Sequence, residues 1–435
     1  MAERRNNLVI GGYLYDLACS LWPICRSITG AGFRESLSLI NAELNDLIVM
    51  HAVPSGYKAF DWVVPDEWNI RDGWIEDENG HRLVDFKKNN LHVVGYSERV
   101  DVWLDFDSLD EHLYSLPDQP DAIPYVTSYY ERRWGFCLAH NQRQLLRNGQ
   151  YRAVIDADLN PGVLNYGELV IKGDTEQEVF LSTYICHPSM ANNELSGPVV
   201  ITAIARWLIS LSSRRYTYRI IYIPETIGSL VYLSKNLDHL KKYVIAGFNV
   251  TCIGDDRCYS YLPSRSGNTM ADRAAQHALH HIDPNFIRYT WLDRGSDERQ
   301  YCSPSIDLPI ATIMRSKYGA YPEYHTSLDN LNFVTPSGLE GGYNALKTAI
   351  EAIELNCLPK ATVLGEPQLG KRGLYPSISK RGSTINTKVM MDLLTYADGK
   401  KDLLEIADLI DVPINQLREI TERLVDYELI SYEEV

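Results

Sequence analysis

The chain lacks the marks of several large protein classes. No apolar run in its 435 residues reaches the roughly 20 residues that a bilayer-spanning helix needs. The opening Met1 to Asn7 is polar and does not have the layout of a secretory signal. Together these absences predict a cytoplasmic protein with no membrane partner. Basic charge is also short: 42 lysines and arginines stand against 57 acids, a formal net charge of −15. Nucleic acids and anionic membranes both require basic surface, so neither is an expected partner. The eight cysteines never form a CxxC pair, which argues against a thiolate zinc site and a disulfide framework. There is no internal repeat and no low-complexity tract.

A chain of this length predicts two or three domains. Residues 8–50 read as helical, with Tyr13, Leu17, Leu21, Leu37, Ile40, Leu44 and Leu47 at helical spacing. The character changes near Val53-Pro54-Ser55-Gly56. From there to 165 come short apolar or alternating runs bounded by turn residues, with Trp62, Trp68, Trp74, Trp103 and Trp134 among them. This pattern predicts an antiparallel β insertion, whose aromatic residues fill a small core or offer faces to a peptide or sugar. Strands and helices then alternate: Val179–Cys186, Val199–Leu211, Tyr218–Ile223, Gly228–Leu240, Val244–Ile253, Thr269–His281 and Ile310–Met314. Such alternation implies a largely parallel sheet with helices on both faces. Beyond Pro359 a Gly-, Pro- and Ser-rich linker (365–383) leads to a helical module with helix-turn-helix spacing around Asp411-Val412-Pro413.

Ligands of parallel α/β sheets bind outside the carboxyl ends of the strands, and three polar clusters fall there. His187 follows the first strand, with Glu194 shortly after, a spacing that suits metal ligands or a hydrogen-bonded loop. Glu225 stands where the second strand gives way to a helix, as a helix-terminus carboxylate or as a general base. His325 follows the fourth strand, with Asp329 near enough to orient a ligating imidazole.

In this order the clusters resemble the co-catalytic zinc aminopeptidases of the leucyl-aminopeptidase and glutamate-carboxypeptidase type. His187 matches that family's first histidine ligand, Glu225 its general base, and Tyr324-His325-Thr326 the segment of its last ligand. Ser296-Asp297 resembles a Ser-Asp pair that the family carries before the fourth strand. Three carboxylate positions are changed: the bridging aspartate reads Asn193, the partner of the base Thr226, and the strand-end aspartate Thr251. An amide and two hydroxyls balance two divalent ions poorly. The resemblance therefore implies one zinc, held by His187, His325 and an acid: Glu194 first, then Asp255 or Asp256. Arg265 and Arg315, near strand ends, are candidates for holding a substrate carboxylate or are solvated surface residues.

The whole layout is closer still to a bacterial group labelled aminopeptidase-like and commonly named alongside surface-polysaccharide biosynthesis. That resemblance implies a zinc-exopeptidase-like α/β domain (1–52 and 166–358), with a mostly parallel sheet flanked by helices. It also implies an inserted antiparallel β domain (53–165) and a C-terminal winged-helix domain (359–435). The expected activity is metal-dependent cleavage of a peptide or amide bond near a free amine, in a small substrate. The rival reading, favoured by the three changed positions, is a catalytically silent binding or assembly protein. In residues 361–435 nine lysines and arginines face thirteen acids, so the winged helix is expected to dock a protein or a second copy rather than DNA.

Overall fold

In the computed structural model, residues 10–374 and 385–434 are described; the polar Met1–Asn7 lead-in and linker residues 375–383 lie outside them. The strands of the main sheet are β1 (Val49–Pro54), β2 (Val163–Ile171), β3 (Glu178–Tyr184), β4 (Thr217–Ile223), β5 (Val244–Asn249), β6 (Ser260–Leu262), β7 (Ile287–Arg288) and β8 (Ile310–Met314). They lie side by side as β1-β2-β4-β3-β5-β8-β6-β7. The central strands β4, β3, β5 and β8 are parallel, while the β1–β2, β2–β4 and β8–β6 joins are antiparallel. Every residue of β3 and β8 is buried. Strands covered on both faces read as unbroken apolar runs rather than alternations, which is how these two appear in the sequence. The flanking helices are α1 (Ile10–Leu21), α2 (Ala31–Glu43), α3 (Ser196–Ser210) and α4 (Ile227–Tyr243), the last two being the crossovers β3-α3-β4-α4-β5. No helix among the described residues is long and apolar enough to cross a membrane.

The insertion contains a four-stranded antiparallel sheet, in the order Arg82–Asp85, Glu67–Asp77, Gln150–Asn160, Val100–Asp105. Val100–Asp105 alternates in burial along its length, as a sheet with one wet face should. The tryptophans divide. Trp68 is buried and its indole N–H donates to the Ser97 carbonyl (2.9 Å), whereas Trp62 and Trp103 are exposed. A segment of the insertion also pairs with the loop that carries His325. The Tyr125 amide donates to the His325 carbonyl (2.9 Å), the Ser327 amide to the Ile123 carbonyl (2.9 Å), and the Gln119 side-chain amide to the Pro322 carbonyl (3.0 Å).

The chain forms two compact units, Met1–Gly267 with Ile287–Tyr343, and Asn268–Phe286 with Asn344–Val435. The second holds a winged-helix domain built from α7 (Ile385–Tyr396), α8 (Leu403–Ile410) and α9 (Ile414–Asp426), after α5 (Met270–Ile282) and the latter part of α6 (Pro336–Leu355). Its two-stranded antiparallel wing pairs β9 (Cys357–Ala361) with β10 (Ile430–Glu434). Helix α5, expected among the helices of the α/β domain, groups here because its polar side chains find partners on α8 and α9. Arg273 pairs with Asp402, His277 Nδ1 meets Asp408 Oδ1 (2.6 Å), and the Ile414 amide donates to His277 Nε2 (3.0 Å). These contacts are specified by spatial meeting, which helical periodicity does not encode.

Phe180, at the middle of β3, is fully buried with its ring against Tyr301 (5.3 Å) and Tyr232 (6.0 Å). Phe180→Ala should lower stability by about 3–5 kcal/mol, read as a shifted urea midpoint; a loss below about 1 kcal/mol would mean that this layer repacks freely.

Candidate active-site cleft

The first polar loop leaves β3 at Tyr184 and turns back through Ser189, which takes a left-handed conformation (φ 47°). It then enters a π-helical turn over Ala191–Leu195 before α3 begins. A π turn widens the helix and re-aims its side chains, a device found often at functional sites. Here it swings Glu194 back so that its Oε2 lies 2.6 Å from His187 Nδ1. Burial pushes the Glu194 carboxyl up to about 7, against the pull of the His187 and Arg26 charges. Burial pulls His187 the other way, but the Glu194 carboxylate outweighs it and the imidazole is raised. Behind the pair lies Arg26, 1% exposed, donating from Nε to the His187 carbonyl (3.2 Å).

His325 comes from the loop after β8, in a left-handed conformation (φ 57°), its ring stacked on Tyr324 at 3.8 Å. The His187 and His325 rings are 5.5 Å apart, and Tyr125 of the insertion packs on both, at 5.0 and 5.2 Å. Burial and then the charge of His187 drive His325 down to about 3, so its ring is neutral. Its Nε2 is buried without a hydrogen-bond partner, as is Glu194 Oε1. Cys186, His187 and Glu194 each offer a donor atom within 4.8 Å of the others, so the cluster includes a thiol beside the expected imidazole and acid.

Glu225 lies two residues past the end of β4, with its Oε2 3.6 Å from His187 Nε2. Burial raises its carboxyl, offset by the His187 and Arg299 charges. Next to it Thr226 adopts φ 63°, ψ −72°, closed by the Ile227 amide donating to the Glu225 carbonyl (2.8 Å). This is the rare, strained hand of the γ-turn, and strain of that kind concentrates at functional sites. Asp297 holds the turn by accepting from the Thr226 amide (2.7 Å) and the Ser229 hydroxyl (2.8 Å). Burial and then Glu225 push the Asp297 carboxyl up to about 8. Arg299 donates from Nη2 to the Thr226 hydroxyl (2.8 Å). A cavity of about 260 Å³ opens between Trp62, Tyr129, Tyr130, His187, Glu225 and Arg299.

Two of the three changed carboxylate positions, Asn193 and Thr251, lie together and are bonded through Tyr184 and to each other. The Tyr184 hydroxyl donates to Asn193 Oδ1 (3.0 Å) and lies 2.6 Å from the Thr251 hydroxyl, which donates to the Asn193 carbonyl (3.0 Å). A neutral hydrogen-bonded network therefore occupies these two positions.

Several expected roles are corrected. Asp329 does not orient an imidazole: its carboxylate accepts from the amides of Ala191, Asn192 and Asn193 and from the Tyr321 hydroxyl. Asp255, the fallback ligand, accepts from the Ser316 amide and hydroxyl, the Arg257 amide and the Asn192 side chain, and so ties loops together. Asp256 accepts from the Thr335 and Ser337 hydroxyls. Arg265 forms an exposed two-pronged pair with Asp307, and Arg315 is buried over the Tyr259 ring at 3.8 Å. Neither lines the cleft; Arg299 is the arginine that does. Its signal was available, since it directly follows the Ser296-Asp297-Glu298 run. Arg26, Tyr125 and Tyr129 left none.

A family model described as a domain of unknown function, DUF4910, matches residues 15–356, and a winged helix-turn-helix model matches 357–432. A Clostridium acetobutylicum protein, whose name couples polysaccharide biosynthesis to an aminopeptidase-like domain, is 40% identical over 433 residues, 98% of either chain. A crystal structure of a candidate peptidase from Clostridium acetobutylicum superposes with a TM-score of 0.91 at 39% identity, covering 97% of this chain and 96% of that one. The zinc aminopeptidase of Bacillus subtilis shares the fold at 14% identity, with a TM-score of 0.56 over 78% of this chain and 94% of its own.

Removing Arg26 strips the buried Glu194 of a counter-charge. Arg26→Met should cost about 3 kcal/mol in urea unfolding, and Arg26→Met combined with Glu194→Gln should cost less than the two single losses added. Strict additivity would show that the two charges do not sense each other.

Proposed function

The chain belongs to the DUF4910 family, and we propose that it is an aminopeptidase-type hydrolase in which His187, Glu194 and His325 hold one zinc ion. Its substrate is a small molecule with a peptide or amide bond beside a free amine. The observation that carries this reading is the pair of orphaned lone-pair atoms, Glu194 Oε1 and His325 Nε2, both buried and unbonded next to His187. An unsatisfied buried polar group costs about 1–3 kcal/mol, which a cation offsets; the donors of Cys186, His187 and Glu194 already lie within 4.8 Å of one another, and His325, its ring 5.5 Å from that of His187, would close on the same ion. A neutral imidazole is the ligating form, and burial keeps His325 in it. The nitrogen–nitrogen–oxygen donor set suits zinc, and Cys186 is an additional donor at hand. The neutral Tyr184–Thr251–Asn193 network supports one ion over two.

When bound, zinc polarises a carbonyl and lowers the pKa of water. The chain supplies the rest. Glu225, with a fifth of its side chain exposed to the cleft, takes a proton at Oε2 from the attacking water and returns it to the leaving nitrogen. Arg299 holds an anionic group of the substrate, while Trp62 and Tyr130 form an aromatic wall. Together with the relative named for polysaccharide biosynthesis, that wall favours an amide carried on a sugar-like or cell-surface component. A silent binding role is the second reading, favoured because Tyr184, Thr251 and the Asn193 oxygens are hydrogen-bonded to one another without an ion.

Protein purified without chelator should carry zinc by mass spectrometry, and a His187→Ala/His325→Ala variant should carry one equivalent per chain less, as three protein ligands with an open position predict. Glu225→Gln should keep the zinc and lower turnover of aminoacyl anilides by about 10²–10⁴-fold, whereas Arg299→Ala should act mainly on KM for acidic substrates. Protein that carries no zinc and takes up none on titration overturns the hydrolase reading and leaves the binding one.

A further inference from the structure

Metal-ligating side chains gather a second time, within the second compact unit. Consecutive histidines, His280 and His281, close the last turn of α5, where the helix dipole favours positive charge. Asp411 faces them from the turn between α8 and α9, in a left-handed conformation (φ 54°). One donor atom from each of the three lies within 4.8 Å of the other two. His280 Nε2 is 2.9 Å from Asp411 Oδ1, close to the spacing of about 3 Å between ligands at right angles that each stand about 2.1 Å from an octahedral divalent ion. His281 Nε2 is buried and bonded to nothing.

Holding α5 in place does not require this cluster. Arg273 with Asp402 and His277 with Asp408 already fasten α5 to α8. His277 has both nitrogens engaged, one with Asp408 and the other with the Ile414 amide, so it is not itself a ligand. The His280–Asp411 contact is exposed, with 45% and 76% of the two side chains open to solvent, and an exposed pair of this kind adds little.

We propose that His280, His281 and Asp411 form a second metal site, which takes a borderline divalent ion such as nickel or zinc with water completing the shell. The ion ties the last turn of α5 to the turn of the helix-turn-helix. Two imidazoles and a carboxylate select transition ions over magnesium and calcium. The exposure of His280 and Asp411 gives the ion a path from solvent.

Nickel titration calorimetry on the full chain tests this. In the unaltered protein, His281→Ala and Asp411→Asn should each lower the nickel stoichiometry by one ion or weaken one binding step at least tenfold. In a His187→Ala/His325→Ala variant, which removes the cleft imidazoles, one nickel should still bind, and adding His281→Ala should abolish it. Nickel should raise the melting temperature of that double variant but not of the triple one. The site is overturned if His281→Ala and Asp411→Asn both leave nickel binding unchanged, or if the folded double variant binds none. Magnesium binding as tightly as nickel would overturn the ion class. None of these outcomes depends on whether the cleft is catalytic.

Discussion

The constraint on which the cleft depends is the contact between His187 and Glu194, an acid with no exposed surface held against a buried imidazole. A carboxylate cannot be taken out of water alone, and much of the local structure exists to accommodate this one. Arg26 brings a buried guanidinium from the segment after α1. The π turn aims the acid backward. Asp329 caps the first amides of that turn, which would otherwise point unbonded into the core, and Tyr321 donates to the same carboxylate. The loops after β3 and β8 are thereby built as one object.

The electrostatics of the cleft follow from the same crowding. Glu194, Glu225 and Asp297 are all raised, each of them chiefly by burial. Clusters of perturbed acids in a cavity are a mark of functional sites, and here each has a distinct task. Glu194 faces the imidazole. Glu225 faces the cavity. Asp297 clamps the strained turn that presents Glu225. Arg299 screens Glu225 while its guanidinium rests on the Thr226 hydroxyl. Where the co-catalytic pattern would place further carboxylates, Asn193, Thr226 and Thr251 add no negative charge.

Much of the fold was legible because burial on both faces writes β3 and β8 as unbroken apolar runs, and because turn residues punctuate the insertion. Boundaries were less so. Helix α3 starts at Ser196 rather than near Val199, since Ser196-Gly197-Pro198 reads as loop although the helix includes it. Strand β5 stops at Asn249 rather than Ile253, because the chain turns toward the cleft with Cys252 in a left-handed conformation. His187, Glu194, Glu225 and His325 could be picked out together because strand ends are readable and converge in an α/β sheet, and the structure places them in one cleft. Asp255, Asp329, Arg265 and Arg315 occupy similar positions in the sequence and do other work. Which way a loop side chain points is decided by partners distant in the chain, as the amides of residues 191–193 decide for Asp329. The exposed Trp62, set against the buried Trp68, makes the same point for aromatic residues.

The backbone bonds between the insertion and the His325 loop restrict how the molecule can breathe. Tyr125 rests on both imidazoles while its own amide is bonded to the His325 carbonyl, and Ile123 is bonded on both sides to Ser327. A swing of this segment away from the sheet would carry the His325 backbone with it. Widening the entrance on that side and separating the two imidazoles are thus a single motion, so admitting a bulky guest there would dismantle the very pair it came to meet.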